Sequence, residues 1–244
     1  MSTPPQTGNG KRLLITLTIL VIAGLTVTFY MRPTAITIVA FGDSTTDRRD
    51  TVKAVYADRL PALLMPKGFR ATVINAGMGG SHTGHRKDHD LFKVPHARDR
   101  FRSAVMEYQP DLVIIQFGAN DGWVDGDSPD APSRIPLDTY KANLTYLMGK
   151  ISEGGAKIIL MTPNKIGAPH EPWRNERMRR YAETLKALGA ETHTPVIDLW
   201  DLPDAEVDAH LLDGTHPNDR GHAYVAGLLA ERIPDVMQGK DRPL

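Results

Sequence analysis

The chain has no cysteine among its 244 residues. That excludes a thiol nucleophile, a thiolate metal site and any disulfide together, and it leaves the redox compartment open. It also has no net charge, because 29 Lys and Arg balance 29 Asp and Glu. A nucleic-acid-binding domain normally gathers a basic excess on one face, so no nucleic-acid partner is expected. No internal repeat is visible, and no Gly-x-Ser-x-Gly elbow occurs, which disfavours the α/β-hydrolase fold. The length suits one domain with a sizeable core and is short for two. Long uncharged apolar runs are absent too, with one exception at the N-terminus.

That exception concerns location. Residues 1–10 are small, polar and Pro/Gly-containing, and are expected to be a disordered tail. Lys11 and Arg12 follow, and then residues 13–31 (LLITLTILVIAGLTVTFYM) carry no charge. A bilayer-spanning helix needs roughly 20 such residues, whereas the apolar part of a cleaved signal peptide runs about 7–15. Residues 11–32 are therefore expected to be a transmembrane signal anchor, with a signal peptide cleaved near Val21-Ile22-Ala23 as the alternative. Lys11 and Arg12 place the N-terminus in the cytoplasm and the domain outside it; Arg32 weakens that bias without reversing it. In the alternative the domain is secreted.

From residue 35 to 236 the chain alternates between strand-like and helix-like segments. Residues 35–41 (AITIVAF) are apolar and β-branched, and 71–75, 111–117, 157–162 and 195–199 also read as strands. Between and after them, 54–64, 97–108, 137–152, 176–188 and 219–233 have helical spacing, and 237–244 reads as a tail. Five strands separated by helices predict an α/β fold, a parallel sheet covered on both faces. In such sheets ligands bind beyond the carboxyl ends of the strands. The segments leaving four of those ends carry unusual residues.

Ser44 directly follows the first strand, in Gly42-Asp43-Ser44-Thr45. A serine hydroxyl becomes a nucleophile only beside a base, and a serine after a strand also serves as an N-cap or turn residue. Asp213 and His216 stand three apart with Gly214 between them, so one turn can set the carboxylate on imidazole Nδ1–H and leave Nε2 to take a proton. A surface or capping histidine is the plainer reading, and Asp219 is a candidate cap of the last helix. Asn120, in Gly118-Ala119-Asn120-Asp121, offers an amide after the third strand. Gly80, in Asn75–Gly80, offers a backbone N–H without a Cβ in the way. With the Ser44 amide these are candidate oxyanion donors; an Asx-turn and tight-turn glycines are the alternatives.

In order, the four segments resemble the blocks of the SGNH (GDSL-type) esterase and lipase family. Gly42-Asp43-Ser44 matches the first block and Asn75-x-Gly77-x-x-Gly80 the second. Gly118-x-Asn120-Asp121 matches the third, and Asp213-x-x-His216-Pro217 the last. The resemblance spans residues 36–233, with one departure: Thr45 stands where the name-giving motif has leucine. It implies a flavodoxin-like three-layer α/β/α sandwich with a five-stranded parallel sheet. It also implies a catalytic triad of Ser44, Asp213 and His216, an oxyanion hole of Ser44, Gly80 and Asn120, an acyl-serine intermediate, and no metal or organic cofactor.

Further features bear on the substrate. Thr45, His82 and Trp123 are candidate substrate-binding residues. The loop 81–95 also holds His85, Asp88 and His89; without a helix to align these side chains, a polar or lid loop is expected rather than a metal site. Trp173 reads as a pocket or packing residue, and 174–180 as a solvated helix face. The expected activity is cleavage of short acyl esters, such as O-acetyl groups on carbohydrate. A lysophospholipase or thioesterase acting on longer chains is the alternative, as is an acyltransferase or carbohydrate-binding protein on the same fold.

Overall fold

The β-branched run after Pro33 forms strand β1 (Thr34–Gly42) in the computed structural model of the protein, which describes residues 33–240. Four more strands follow among these residues: β2 (Phe69–Gly77), β3 (Leu112–Gln116), β4 (Lys157–Met161) and β5 (Val196–Ile197). They form one sheet in the order β2-β1-β3-β4-β5, and the β1–β3, β3–β4 and β4–β5 ladders are parallel. Parallel neighbours require long crossovers. Helices α1 (Tyr56–Leu64) and α2 (Ala97–Ala104) supply the first two. The third contains the short α3 (Ala119–Gly122) and the long α4 (Leu137–Glu153), and the fourth is α5 (Trp173–Thr192). After β5 come α6 (Val207–His210) and α7 (Asp219–Gln238).

Alternation along the strands divides their side chains between two cores. Ile36, Ile38, Leu112 and Ile114 face one side, closed by Leu60 and Leu64 of α1 and by Val225, Leu229 and Ile233 of α7. Val39, Phe41, Val113 and Ile115 face the other, closed by Phe101, Leu144, Leu147, Leu185 and Leu188 of α2, α4 and α5. The result is the expected three-layer α/β/α sandwich. Every residue of β3 is buried, because helices cover both of its faces.

Element limits shift where local chemistry intervenes. The last strand is only two residues long, because the Asp198 carboxylate accepts the Trp200 amide and starts a 3-10 turn. The helix expected over 97–108 stops at Ala104, where Val105 leaves helical geometry and a second 3-10 turn (Met106–Tyr108) follows. The final helix runs through Pro234 to Gln238, so the tail expected from residue 237 starts as helix. Residues 1–32, and with them the expected anchor, lie outside the described residues. Among the described residues no helix is long and apolar enough to cross a membrane.

The strand order reverses between β1 and β3, which are neighbours with Gly42 beside Gln116. At such a switch point the segments leaving the two strands diverge and open a crevice. Ser44 leaves one strand and Asn120 the other.

Candidate active site

Ser44 sits in a tight turn in which the amides of Thr46 and Asp47 both donate to the Asp43 carbonyl, at 3.1 and 3.0 Å. Its Oγ lies 2.9 Å from Nε2 of His216, 172 residues away in sequence. On the other side of the imidazole, Nδ1 lies 2.8 and 3.0 Å from the two oxygens of Asp213. A carboxylate only accepts, so Nδ1 carries the ring proton and Nε2 is left to accept from Ser44. Asp213 also accepts the amides of Thr215 and His216, at 3.1 and 2.9 Å. So tight a turn needs Gly214 at φ 80, where a Cβ would meet the Ala168 carbonyl. Partial burial opposes the charge on Asp213, but the His216 amide, ring and charge, with the Thr215 amide, outweigh it. They hold the carboxyl at about 2.

The three expected oxyanion donors lie on the segments that leave β1, β2 and β3. Among the described residues, no acceptor takes the amide of Ser44 or of Gly80. Gly80 has φ 75, and a Cβ there would stand 2.6 Å from the Phe92 ring. The turn passes beside the serine, since a Cβ on Gly79 would lie 4.0 Å from Ser44 Cβ. Asn120, 9% exposed, turns its Oδ1 to Arg134, which donates from Nη1 at 3.0 Å. Its other end faces Asp43 in the Ser44 turn.

The turn rests on groups with no individual signature in the sequence. Arg100 of α2 is buried and donates 2.7 Å bonds to the carbonyls of Gly42 and Ala76, tying the ends of β1 and β2 together. Burial pulls its guanidinium down to about 10, against the opposing charges of Asp43 and Asp47. Asp43 is itself buried, which raises its pKa, while the amide and hydroxyl of Thr45 donate to it at 2.9 and 2.8 Å. Asp121 is buried completely, which pushes it up to about 7 despite two bonds from Thr83. Arg134 is the one basic residue in the loop 122–136, the only signal that could have singled it out.

The three candidate substrate-binding residues fare differently. Thr45 is 2% exposed with its hydroxyl bound to Asp43, so it shapes the turn and offers nothing to a ligand. His82 is likewise buried. It accepts the Gly84 amide at Nδ1, reaches the His89 carbonyl with Nε2 and stacks on His96 with centroids 3.5 Å apart. Trp123 is half-buried and meets His170 edge-on at 5.4 Å, and His170 bonds the hydroxyl of Thr215, next to His216. It therefore stands beside the crevice. The other loop histidines go to separate partners, His85 to Asp99 and His89 to Asp125. Among the described residues no group of three or more His, Asp or Glu is arranged to hold a metal ion.

The expectation of a solvated face over 174–180 needs correction at Arg174 and at Met178, both of which are buried. Arg174 is buried between Trp123 and Trp173, and donates to the carbonyls of Val124 and Gly126. Arg179, by contrast, pairs with Glu176 and Glu183 on the surface.

Fold and site together define a carboxylic ester hydrolase. The chain belongs to the GDSL-like lipase/acylhydrolase family, which it matches over residues 40–224. It is 27% identical to an arylesterase of Vibrio mimicus over 71% of its own length and 76% of that protein's. It superposes on a lipase/acylhydrolase from Enterococcus faecalis with a TM-score of 0.65 at 28% identity, covering 86% of this chain and 98% of that one. An acetylxylan esterase from Geobacillus stearothermophilus shares the fold, with a TM-score of 0.66 at 24% identity over 83% of this chain and 96% of that one.

Proposed function

We propose that the protein removes short acyl groups, O-acetyl on carbohydrate foremost, through an acyl-Ser44 intermediate. The observation that carries the proposal is the unbroken line Ser44 Oγ–His216 Nε2 and His216 Nδ1–Asp213, with links of 2.9 and 2.8 Å. His216 takes the Ser44 proton as Oγ attacks the ester carbon, and Asp213 stabilises the imidazolium. The negative charge on the former carbonyl oxygen is met by the Ser44 and Gly80 amides and the Asn120 side chain. Collapse breaks the ester C–O bond, and His216 returns the proton to the leaving alcohol. It then deprotonates water, which attacks the acyl carbon; the bond to Ser44 Oγ breaks, His216 returns the proton to Oγ, and the acid leaves.

The short-acyl, carbohydrate reading draws support from the rim. Trp123, His170 and Thr215 form an aromatic and polar wall beside His216, and the acetylxylan esterase is among the structural relatives. An acetate-to-palmitate series of p-nitrophenyl esters, run on the full chain, tests it. A maximum at acetate is expected; a maximum at long chains supports a lysophospholipase or thioesterase instead. A fluorophosphonate probe should label the wild type and spare Ser44→Ala, and equal labelling would refute the intermediate. Tethering through residues 13–31 with the domain outside the cytoplasm belongs to the same proposal and rests on that uncharged run alone. Release of the protein from membranes by alkaline carbonate would count against it.

A further inference from the structure

We infer that Arg134 is a positioning residue of the oxyanion site, setting the sense of the Asn120 amide so that its NH2 end faces the reacting oxygen. The inference rests on the ester hydrolysis proposed above. An asparagine amide has two nearly isosteric orientations that exchange donor for acceptor. In one, Nδ2 donates to the oxyanion. In the other, the lone pairs of Oδ1 face it, so a stabilising donor becomes a repulsive acceptor. Nothing in the shape of the amide chooses between them; its neighbours do, the Asp43 carboxyl on the NH2 side and a donor on the far side.

Arg134 is that donor. A guanidinium has donors and no acceptor, so it pairs with Oδ1 alone. Its Nη1 lies 3.0 Å from Asn120 Oδ1, and a flipped amide would set donor against donor there. The guanidinium is itself held rigidly. Nε and Nη2 both donate to Oδ1 of Asp125, at 2.9 and 2.6 Å, and the charge lies 4.9 Å from the centroid of the Phe92 ring. Only 7% of the Arg134 side chain is exposed, so its bond to Asn120 is weakly screened.

The same group reaches the second donor indirectly. The Phe92 ring beneath Arg134 is the one that packs against Gly80. The other oxygen of Asp125 bonds His89 Nε2 at 3.0 Å, which ties the loop 81–95 to the loop 122–136. Arg134 thus sits where the supports of both non-serine donors meet. Because Asp125 balances its charge, a general attraction for anionic substrates is not expected. Its effect passes through the amide, which matters most when charge has developed, so kcat should suffer more than KM.

Arg134→Met keeps the aliphatic stem and removes the donors, while Arg134→Lys keeps one charged donor. In the full chain, kcat for p-nitrophenyl acetate should fall about 10–100-fold in Arg134→Met, less than the roughly 10²–10³-fold cost of deleting an oxyanion donor outright, with KM changed less than about twofold. Arg134→Lys should recover part of the loss. In an Asn120→Ala background, Arg134→Met should cost less than about twofold more, because its route of action is already gone. The rate of Ser44 phosphonylation by a fluorophosphonate should fall in parallel across the series. Losses that multiply in the double variant, a loss confined to KM, or a wild-type kcat in Arg134→Met would each overturn the inference. If the wild type leaves the ester intact, the esterase reading fails, while the phosphonylation rates still decide the role of Arg134.

Discussion

His216 can accept from Ser44 only while its ring is turned and protonated as Asp213 dictates, so the smallest scale at which the site can fail is one carboxylate. With its pKa held at about 2, Asp213 stays ionised throughout the neutral and mildly acid range. The sign follows from the depression: its pairing stabilises the fold above the ordinary carboxylate range, and that contribution is lost as pH falls through about 2. Asp213 therefore does not set an acid limb of activity near neutrality. Asp213→Asn removes the charge and leaves the tautomer undetermined. We expect kcat on p-nitrophenyl acetate to fall about 10³–10⁴-fold. At this scale Ser44, Asn120, Asp213 and His216 were legible, because each stands in a short local pattern: Ser44 and Asn120 just after a strand, Asp213 and His216 in the turn between α6 and α7. Thr45 and His82 were misread because local pattern does not say which way a side chain turns, and both turn inward.

The Asp213–His216 turn keeps its place through the helix that follows it. Asn218 caps α7, accepting the amides of Arg220 and Gly221 at 2.9 and 3.0 Å. Its NH2 donates to the carbonyls of Ala209 and Leu211, which anchors the loop on α6. Asp219, the candidate cap in the sequence, instead accepts the amides of Lys53 and Ala54 and pairs with Arg59. Asn218→Ala should lower stability by about 0.5–2 kcal/mol in urea unfolding, the usual range for losing such a cap. It should also lower kcat, because the Ser44–His216 distance is no longer held. Helix and strand identity followed from periodicity. Their limits did not, since caps and 3-10 turns depend on single side-chain bonds such as that of Asp198 to Trp200.

Across the whole molecule, the active edge is built over buried carboxylates. Asp121 is fully buried and pushed up to about 7, with Oδ1 taking both Thr83 donors. A raised carboxyl favours the fold most below the ordinary carboxylate range, and that advantage is lost as pH rises through about 7. Asp121→Asn keeps an acceptor for Thr83 and removes the ionisation. Its melting temperature should gain on that of the wild type as pH goes from 5 to 8; a difference independent of pH would refute the assignment.

Apolar periodicity determined the five strands, the covering helices and the strand ends beside which Ser44, Gly80 and Asn120 stand, because burial patterns repeat within a few residues. Tertiary structure decided what supports those residues. Arg100 ties β1 to β2, Arg134 orients Asn120 from 14 residues away, and Thr83 meets Asp121 across 38. An arginine bound for a buried amide and one bound for solvent look alike in a sequence. Only the packed fold, by removing water from one of them, gives it a role.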